Sequence, residues 1–303
     1  MSYQPPVTPR LSIIVASLAP GDNLQSALRS PAHGGLAPEL EVILAERISG
    51  TALSERACIP EGVIRVQGPT TATLPQLLGT ALERARGEII AITDTRCEID
   101  DGWTAAILRA HELPYAVIGG AVEPGALPRL VDWAAYLAEY GQFMLPLAQG
   151  VATELPGNNI SMKRWAFERR SKFASPEFWK TYWCDELQAD GLQLYIAPQI
   201  VVRYQCAYNL WPFLVRRFHH GRCFGGMRLE QLSGFWRVAY IAGALALPLL
   251  LLGRIVRAVL PKRRYLGKLT LAMPMILLAM LSWTLGECTG YAFGSGRSCE
   301  RVR

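Results

Sequence analysis

Two stretches of this chain run uncharged for longer than a soluble surface tolerates: 16 residues from Val238 to Gly253 and 18 from Leu269 to Gly286. As helices, each is just long enough to cross about 30 Å of hydrocarbon, the first more comfortably if Phe235 and Trp236 are included and Arg237 snorkels. Two helices buried in a soluble core are the alternative. The 15-residue connector RIVRAVLPKRRYLGK favours the membrane, because it brings six cations (Arg254, Arg257, Lys262, Arg263, Arg264, Lys268) between the two runs. A hairpin of two membrane helices is therefore expected, with the chain dividing near residue 230. Pro248 and Pro274 leave a re-entrant or interfacial arrangement open, and basic residues on both flanks pull both toward the cytoplasm.

The first 200 residues have a different rhythm. Apolar strand candidates occur at 11–17 (LSIIVAS), 40–45 (LEVILA), 62–68 (GVIRVQG), 88–93 (EIIAIT), 115–122 (YAVIGGAV) and 192–198 (LQLYIAP). Helical stretches lie between several of them; in 74–86, LPQLLGTALERAR, apolar residues recur at three- and four-residue spacing. Strands alternating with helices predict an α/β fold with a mostly parallel sheet, whose ligands collect at the carboxyl ends of the strands. That rule singles out Glu46, Asp94, Thr95 and Arg96.

Composition narrows the function. Half of the 303 residues are hydrophobic, enough for a large core, and the net charge of +6 comes from cations crowded after residue 200, beside the apolar runs. This is the pattern of a membrane surface rather than of a nucleic-acid groove, and no finger, homeodomain or RNA-recognition motif is present. The seven cysteines (58, 97, 184, 206, 223, 288, 299) stand singly with no CxxC, so reduced thiols in a cytoplasmic compartment are expected, without a zinc site or a disulfide framework. The short apolar run from Leu11 to Ala19 follows three prolines and reads as a first strand after a loose tail, not as a signal peptide. There is no Walker loop, no GxGxxG after a strand and no GxSxG elbow.

What the chain does carry is a series of local motifs in order: LSIIVAS, LEVILAE, ARGEIIAITDTRCEIDDGW, VIGGAVEPG, LPGNNISMKRWAFE, FWKTYWCDELQADGLQLYIAPQIVVRY and RRFHHGRCFGGMR. Together they resemble the family 2 glycosyltransferases, of the GT-A (nucleotide-diphospho-sugar transferase) fold, and in particular a bacterial membrane-associated branch. The resemblance covers residues 10 to 230. It implies a nucleotide-diphosphate sugar donor at the strand ends, Mg2+ or Mn2+ on an Asp-x-Asp turn, and an aspartate as general base on the acceptor hydroxyl. A metal or other cation offsets charge developing on the leaving diphosphate, and a carboxylate near the acceptor oxygen takes its proton.

Carried over residue by residue, the resemblance meets three departures. The aspartate that contacts the nucleotide base corresponds to Glu46. The Asp-x-Asp turn becomes Asp94, Thr95, Arg96, fixed by the nine residues from Asp94 to Trp103, so Asp94 is left as the metal ligand. The base aspartate, 11 residues before Gly191, corresponds to Lys180, an ammonium that cannot take a proton at its ordinary pKa. In one reading Arg96 and Lys180 replace the metal on the diphosphate, and Asp185 or Glu186 serves as base. In the other the catalytic constellation has decayed to a membrane-anchored binding or scaffold domain of envelope glycan synthesis.

Asn158 and Asn159 of LPGNN are expected to shape the sugar pocket, and Arg217 to close over the donor. Arg216, Arg222 and Arg228 are expected at lipid phosphates, and the adjacent His219 and His220 make a poor metal pair. The aromatic residues of 131–143 fit core packing or the membrane interface. The expected organisation is a tail (1–10), a GT-A domain (11–230) on the cytoplasmic side of the cell membrane, and a membrane region (231–303) with two apolar helices. The expected acceptor is lipid-linked or an envelope glycan, with no nucleic-acid partner.

Overall fold

A computed structural model describes residues 8–17, 39–48, 59–169, 176–229 and 234–302. Cys58 and the glycines at 34 and 35 lie outside the described residues. The chain forms two compact units, Met1–Gly125 with Leu145–Gln205, and Ala126–Met144 with Cys206–Arg303. Residues 126–144 and 206–229, grouped by sequence with the transferase domain, thus belong to the second unit.

The first unit is a nine-stranded sheet in the order β3-β2-β1-β4-β8-β6-β9-β5, with β7 on β9. Its central strands β1 (Leu11–Ser17), β2 (Leu40–Arg47) and β4 (Ile89–Asp94) are near-continuous apolar runs, as strands covered on both faces must be. β1 pairs in parallel with both β2 and β4, and β2 pairs in parallel with β3 (Ile64–Gly68). The helix α1 (Leu74–Arg84) begins at a capping box: Gln76 N donates to Thr73 Oγ1 and Thr73 N to the Gln76 side chain, with Pro75 in the first turn. Beyond β4 come β5 (Cys97–Ile99), α2 (Trp103–Ala110) and β6 (Val117–Pro124).

The expected mostly parallel sheet is present, with three short strands that the motif pattern did not disclose. β8 (Ile160–Lys163) enters antiparallel between β4 and β6, and brings Asn158 and Asn159 to the carboxyl end of β4 and the middle of β6. Short β7 (Gly150–Ala152) and long β9 (Leu194–Tyr204) complete the sheet, while α4 (Arg164–Glu168) and α5 (Lys180–Ala189) connect them.

At the amino ends of the strands a cluster around the buried Glu41 carboxylate ties β1 and β2 to the turn before β4. Ser12 Oγ and Arg86 N donate to Glu41 Oε2 at 2.6 and 2.9 Å, and Arg86 Nε donates to Oε1 at 2.8 Å. Burial alone would raise the Glu41 pKa, but these hydrogen bonds outweigh it and hold the carboxyl below its ordinary value.

The second unit is helical: α3 (Leu130–Glu139), α6 (Leu210–Leu229), α7 (Gly234–Ala244), α8 (Leu247–Val259) and α9 (Leu266–Phe293). α6 and α9 meet backbone to backbone through glycines. A Cβ on Gly221 would lie 2.1 Å from Trp283 O, and one on Gly286 2.1 Å from Phe218 O, so only glycine permits this approach. The same crossing brings the segment after α9 back to α6, where Cys223 and Cys299 form a disulfide with Cα atoms 4.9 Å apart. This corrects the expectation of reduced thiols throughout: a pair separated by 76 residues has no local signature.

The apolar runs also differ from a simple hairpin. α9 passes uninterrupted through Pro274 and, at 28 residues, is about 42 Å long, so it is long and apolar enough to span a membrane. The first run is two helices, α7 and α8, bent by 55° at the break, and it counts as a span only if that bent pair is one. Leu245, Leu249 and Leu285 are all more than 60% exposed. Such a surface suits a hydrocarbon solvent.

Candidate active site

The carboxyl ends of β1, β2 and β4 come together as the parallel register requires. Ala16 stands beside Asp94, and Ser17 beside Glu46. At β2, Glu46 is already held: Oε1 accepts from Arg65 Nη2 at 2.6 Å, from Arg65 Nε at 3.0 Å and from Gln67 Nε2 at 3.0 Å. Arg65 and Gln67 lie on one face of β3, two residues apart, so the adjacent strand supplies both donors. Glu46 thus presents a neutralised carboxylate, with the half-exposed Arg65 guanidinium on its outer side.

Asp94 ends β4 and is clamped by its own turn. Arg96 N donates to Oδ1 at 2.9 Å and Arg96 Nη2 to Oδ2 at 2.7 Å. The guanidinium also lies 5.5 Å from the Tyr204 ring centroid, and Arg96 O accepts from Gln205 N. The turn goes straight into β5 through Cys97, whose thiol is raised well above its ordinary pKa, by burial first and by the Asp94 charge second. Cys97 is an inert filler here, not a nucleophile.

Cys97 links this turn to the LPGNN loop. Asn158 Nδ2 donates to Cys97 Sγ at 3.1 Å, while Asn158 Oδ1 is buried without a partner, as is Ser17 Oγ. Buried polar atoms are almost always satisfied, so unpaired ones at the open end of a parallel sheet mark where a ligand donor fits. Asn159 is different in kind. Its amide donates to Ala121 O and Ile200 O and accepts from Trp103 Nε1 at 2.9 Å, so it is fully used in joining β6, β9 and α2. Gly120 makes room for it, because a Cβ there would lie 2.3 Å from the Asn159 amide nitrogen.

Lys180 opens α5 and turns toward the same loop. Its Nζ donates to Leu155 O at 2.7 Å, and its Cε lies 3.9 Å from where a Cβ on Gly157 would be. Asp94, Arg96, Cys97, Asn158 and Lys180 are therefore neighbours in one chain of contacts. Asp185 and Glu186 are not part of it. Five and six residues along α5 they point about 140° and 120° away from Lys180, and Asp185 is exposed. The face they leave is filled by buried Trp183, Cys184 and Leu187.

Arg217 belongs to the second unit. It is buried, donates to Glu139 Oε1 at 3.2 Å and stacks 4.7 Å from the Trp283 ring centroid. Its neighbours in the basic segment also have intramolecular partners: Arg216 pairs with Glu139, Arg222 with Gly294 O and Arg228 with Glu287. The expectation that they meet lipid phosphates overlooked the carbonyls and carboxylates that helix packing delivers to them. His219 shares a hydrogen bond with Ser298.

The donor set fits a divalent metal poorly. Asp94 is a single carboxylate with both oxygens already engaged by Arg96, and among the described residues no group of three or more His, Cys, Asp or Glu is placed to hold an ion. Arg65 and Gln67, which sequence reasoning missed, could have been found from the alternation of β3, which puts them on one face.

No protein-family model matches the sequence, and no curated protein sequence matches it. Among solved structures the chain is similar to the mannosyltransferase PcManGT from Pyrobaculum calidifontis in complex with GDP-Man and Mn2+. The match has 16% identity and a TM-score of 0.57, and covers 95% of this chain and 88% of that one. Glucosyl-3-phosphoglycerate synthase from Mycobacterium tuberculosis, in complex with Mn2+, UDP-glucose and phosphoglyceric acid, aligns at 15% identity and a TM-score of 0.43, over 66% of this chain and 73% of its own. At such identities the likeness is one of fold. The chain has the GT-A-type α/β architecture found in nucleotide-sugar glycosyltransferases.

Proposed function

We propose that this protein is a membrane-anchored glycosyltransferase that binds a nucleotide-diphosphate sugar at the strand ends and holds the diphosphate with protein cations in place of a metal. The observation that carries the reading is the Arg96–Asp94 clamp. It puts a fixed guanidinium where the resemblance expects a metal-bound carboxylate, with Lys180, at the start of α5, bonded to the adjoining loop. Guanidinium and ammonium groups neutralise phosphate charge directly, and the guanidinium does so with two parallel hydrogen bonds. Glu46 with Arg65 would face the nucleotide, and Asn158 Oδ1 would accept from a sugar hydroxyl. The acceptor is taken to be lipid-linked or an envelope glycan, in keeping with the apolar faces of α7, α8 and α9.

A second reading rests on α5. With Lys180 on its inward face and Asp185 and Glu186 turned away, the helix offers no carboxylate for deprotonating an acceptor, which favours a domain that binds the donor without transferring the sugar. Placement of the sheet unit on the cytoplasmic side rests on the cations that precede the first apolar run, Arg216, Arg217, Arg222, Arg228 and Arg237, against the opposite pull of the six connector cations in a two-span hairpin. The Cys223–Cys299 bond favours the opposite side, since disulfides persist in oxidising compartments.

The test is calorimetric binding of UDP-, GDP- and dTDP-sugars to the detergent-solubilised full chain, with Mn2+ and with EDTA, followed by product analysis with lipid-linked acceptors. Binding that survives EDTA and falls about 10- to 100-fold in Arg96→Ala is expected. Absence of binding to every donor in both conditions would overturn the reading. Binding without product would select the second reading.

A further inference from the structure

The length of α9 permits a membrane crossing, but both of its ends are fastened to segments that do not cross. At the amino end, the Trp133 ring of α3 lies 4.8 Å from the Tyr265 ring, and Lys268 Nζ lies 5.6 Å from the Trp133 centroid. The connector before α9 is held at the same place. Lys262 Nζ donates to Gln142 O at 3.1 Å and Arg254 Nη2 to Gln142 Oε1 at 2.9 Å, while buried Val259 packs against Gly141. The anchor for all of these, residues 126–144, follows Gly125 of the sheet unit and leads back into it at Leu145. Its helix α3 has 10 residues and is about 15 Å long, too short to cross a bilayer and return.

The carboxyl half of α9 is fastened to α6, and the two helices run parallel in step. Ser282 Oγ donates to Leu214 O at 2.7 Å, Gly286 meets Phe218, and Gly290 meets Arg222. Past the helix end, the Cys223–Cys299 bond, the His219–Ser298 hydrogen bond and the bond from Arg222 Nε to Gly294 O hold the tail against α6. α6 itself carries Arg216, Arg217, Arg222 and Arg228, and among the described residues only α9 and the bent α7–α8 pair are long and apolar enough to span. Arginines of this number exclude α6 from hydrocarbon. The bent pair is tied at both ends as well: Arg237 Nε of α7 donates to Tyr291 O at 3.3 Å, and Arg254 of α8 is the residue bonded to Gln142.

We propose that the helical unit is monotopic: α7, α8 and α9 lie in one leaflet of a lipid bilayer without crossing it, and the connector and the C-terminal tail stay on the side of the sheet unit. The inference rests on the membrane-anchored reading above and replaces a hairpin of two spans. On α9 the inward face buries Ala272, Ile276 and Ala279, whereas Leu271, Leu278, Leu281 and Leu285 form an exposed apolar stripe at helical spacing. No charge interrupts residues 269–286, so this stripe lacks the polar rim of a surface that docks a soluble protein. Exposed Phe235 and Trp236 at the start of α7 suit the headgroup level. The monotopic arrangement also removes the conflict of charge, because the cations before the first apolar run and those of the connector then lie on the same side.

The experiment is labelling of the full chain in sealed membrane vesicles with a membrane-impermeant maleimide, before and after permeabilisation. Cys58, Cys206 and Cys288 are replaced by serine, and one cysteine is added at an exposed position of the sheet unit (Glu112→Cys), the connector (Arg263→Cys) or the tail (Glu300→Cys). All three should label from the same side. Labelling of Arg263→Cys from the opposite side would establish a two-span hairpin, and labelling of Glu300→Cys alone from the opposite side would establish a single crossing by α9; either overturns the proposal. A depth measurement keeps the test independent of those variants. A fluorophore at Leu271→Cys, Leu278→Cys or Leu285→Cys, quenched by spin-labelled lipids, should report depths equal within about 5 Å, whereas a spanning α9 would place the three at clearly different depths. A chain that fails to sediment with vesicles, or whose apolar stripe is protected by a second copy instead of by lipid, would also overturn it. None of these readouts depends on donor binding or sugar transfer.

Discussion

The two ends of the sheet each carry a carboxylate–arginine pair, and the pairs are built differently. At the amino end, Glu41 takes donors from Ser12, Arg86 N and the Arg86 side chain, and Ser12 Oγ also accepts from Gly87 N at 2.7 Å. That cluster locks β1, β2 and the approach to β4 together. At the carboxyl end, the Asp94–Arg96 pair closes its own turn, and unpaired Ser17 Oγ and Asn158 Oδ1 stand near it. A saturated cluster far from the carboxyl ends of the strands stabilises the fold. An incompletely satisfied one where parallel strands open is suited to a ligand.

Changes at the amino end should therefore cost stability and leave donor affinity per folded molecule intact. Glu41→Ala should lose about 3 kcal/mol, read by denaturant unfolding, because Ser12 and Arg86 N lose a buried acceptor. Asn159→Ala sharpens the comparison from within the carboxyl end. It strips partners from Ala121 O, Ile200 O and Trp103 Nε1 and should cost about 2–3 kcal/mol, whereas the adjacent Asn158→Ala should cost under about 1 kcal/mol and weaken donor binding instead. Equal stability losses at the two asparagines would break the distinction.

The next effect is one of pH. Buried His111, whose Nε2 shares a hydrogen bond with Ser161 Oγ at 2.8 Å, has its pKa lowered to about 3, by burial first and by the Lys163 charge second. The unfolded chain takes up this proton near the ordinary value of about 6.5 and the folded one does not, so the stabilisation is complete above that value and is lost as pH falls toward 3. Between pH 7 and pH 5 this amounts to about 2 kcal/mol, and His111→Phe should flatten that part of the stability profile. Lys180→Ala has the smallest expected effect, a fall in donor affinity of about tenfold with little change in unfolding midpoint.

Much of the first unit is legible in the sequence. β1 occupies the predicted residues, and the other five predicted strands begin or end within a few residues of their observed limits, because long buried apolar runs leave the chain few alternatives. Strands of three or four residues escape such reasoning. β8 consists of Ile-Ser-Met-Lys and owes its place to neighbours on both sides, so the loop carrying Asn158 is legible while the difference between Asn158 and Asn159 is not. In the second unit, composition alone cannot separate the continuous α9 from the bent α7–α8. Pro274 lies inside a continuous run of helix and Pro248 at the start of α8. The cations of α6 illustrate the same limit: sequence shows their charge, whereas Glu139, Glu287 and the Gly294 carbonyl become their partners only when the helices cross.

The central claim is that a guanidinium stands in for a metal at the end of β4. Arg96→Asp tests it most directly, since it removes the clamp and restores a second carboxylate two residues from Asp94. Donor binding to the wild-type chain should be the same in Mn2+ and in EDTA, and binding to the variant should appear only with Mn2+. Wild-type binding that EDTA abolishes, or a variant that binds donor equally well in EDTA, would contradict the account.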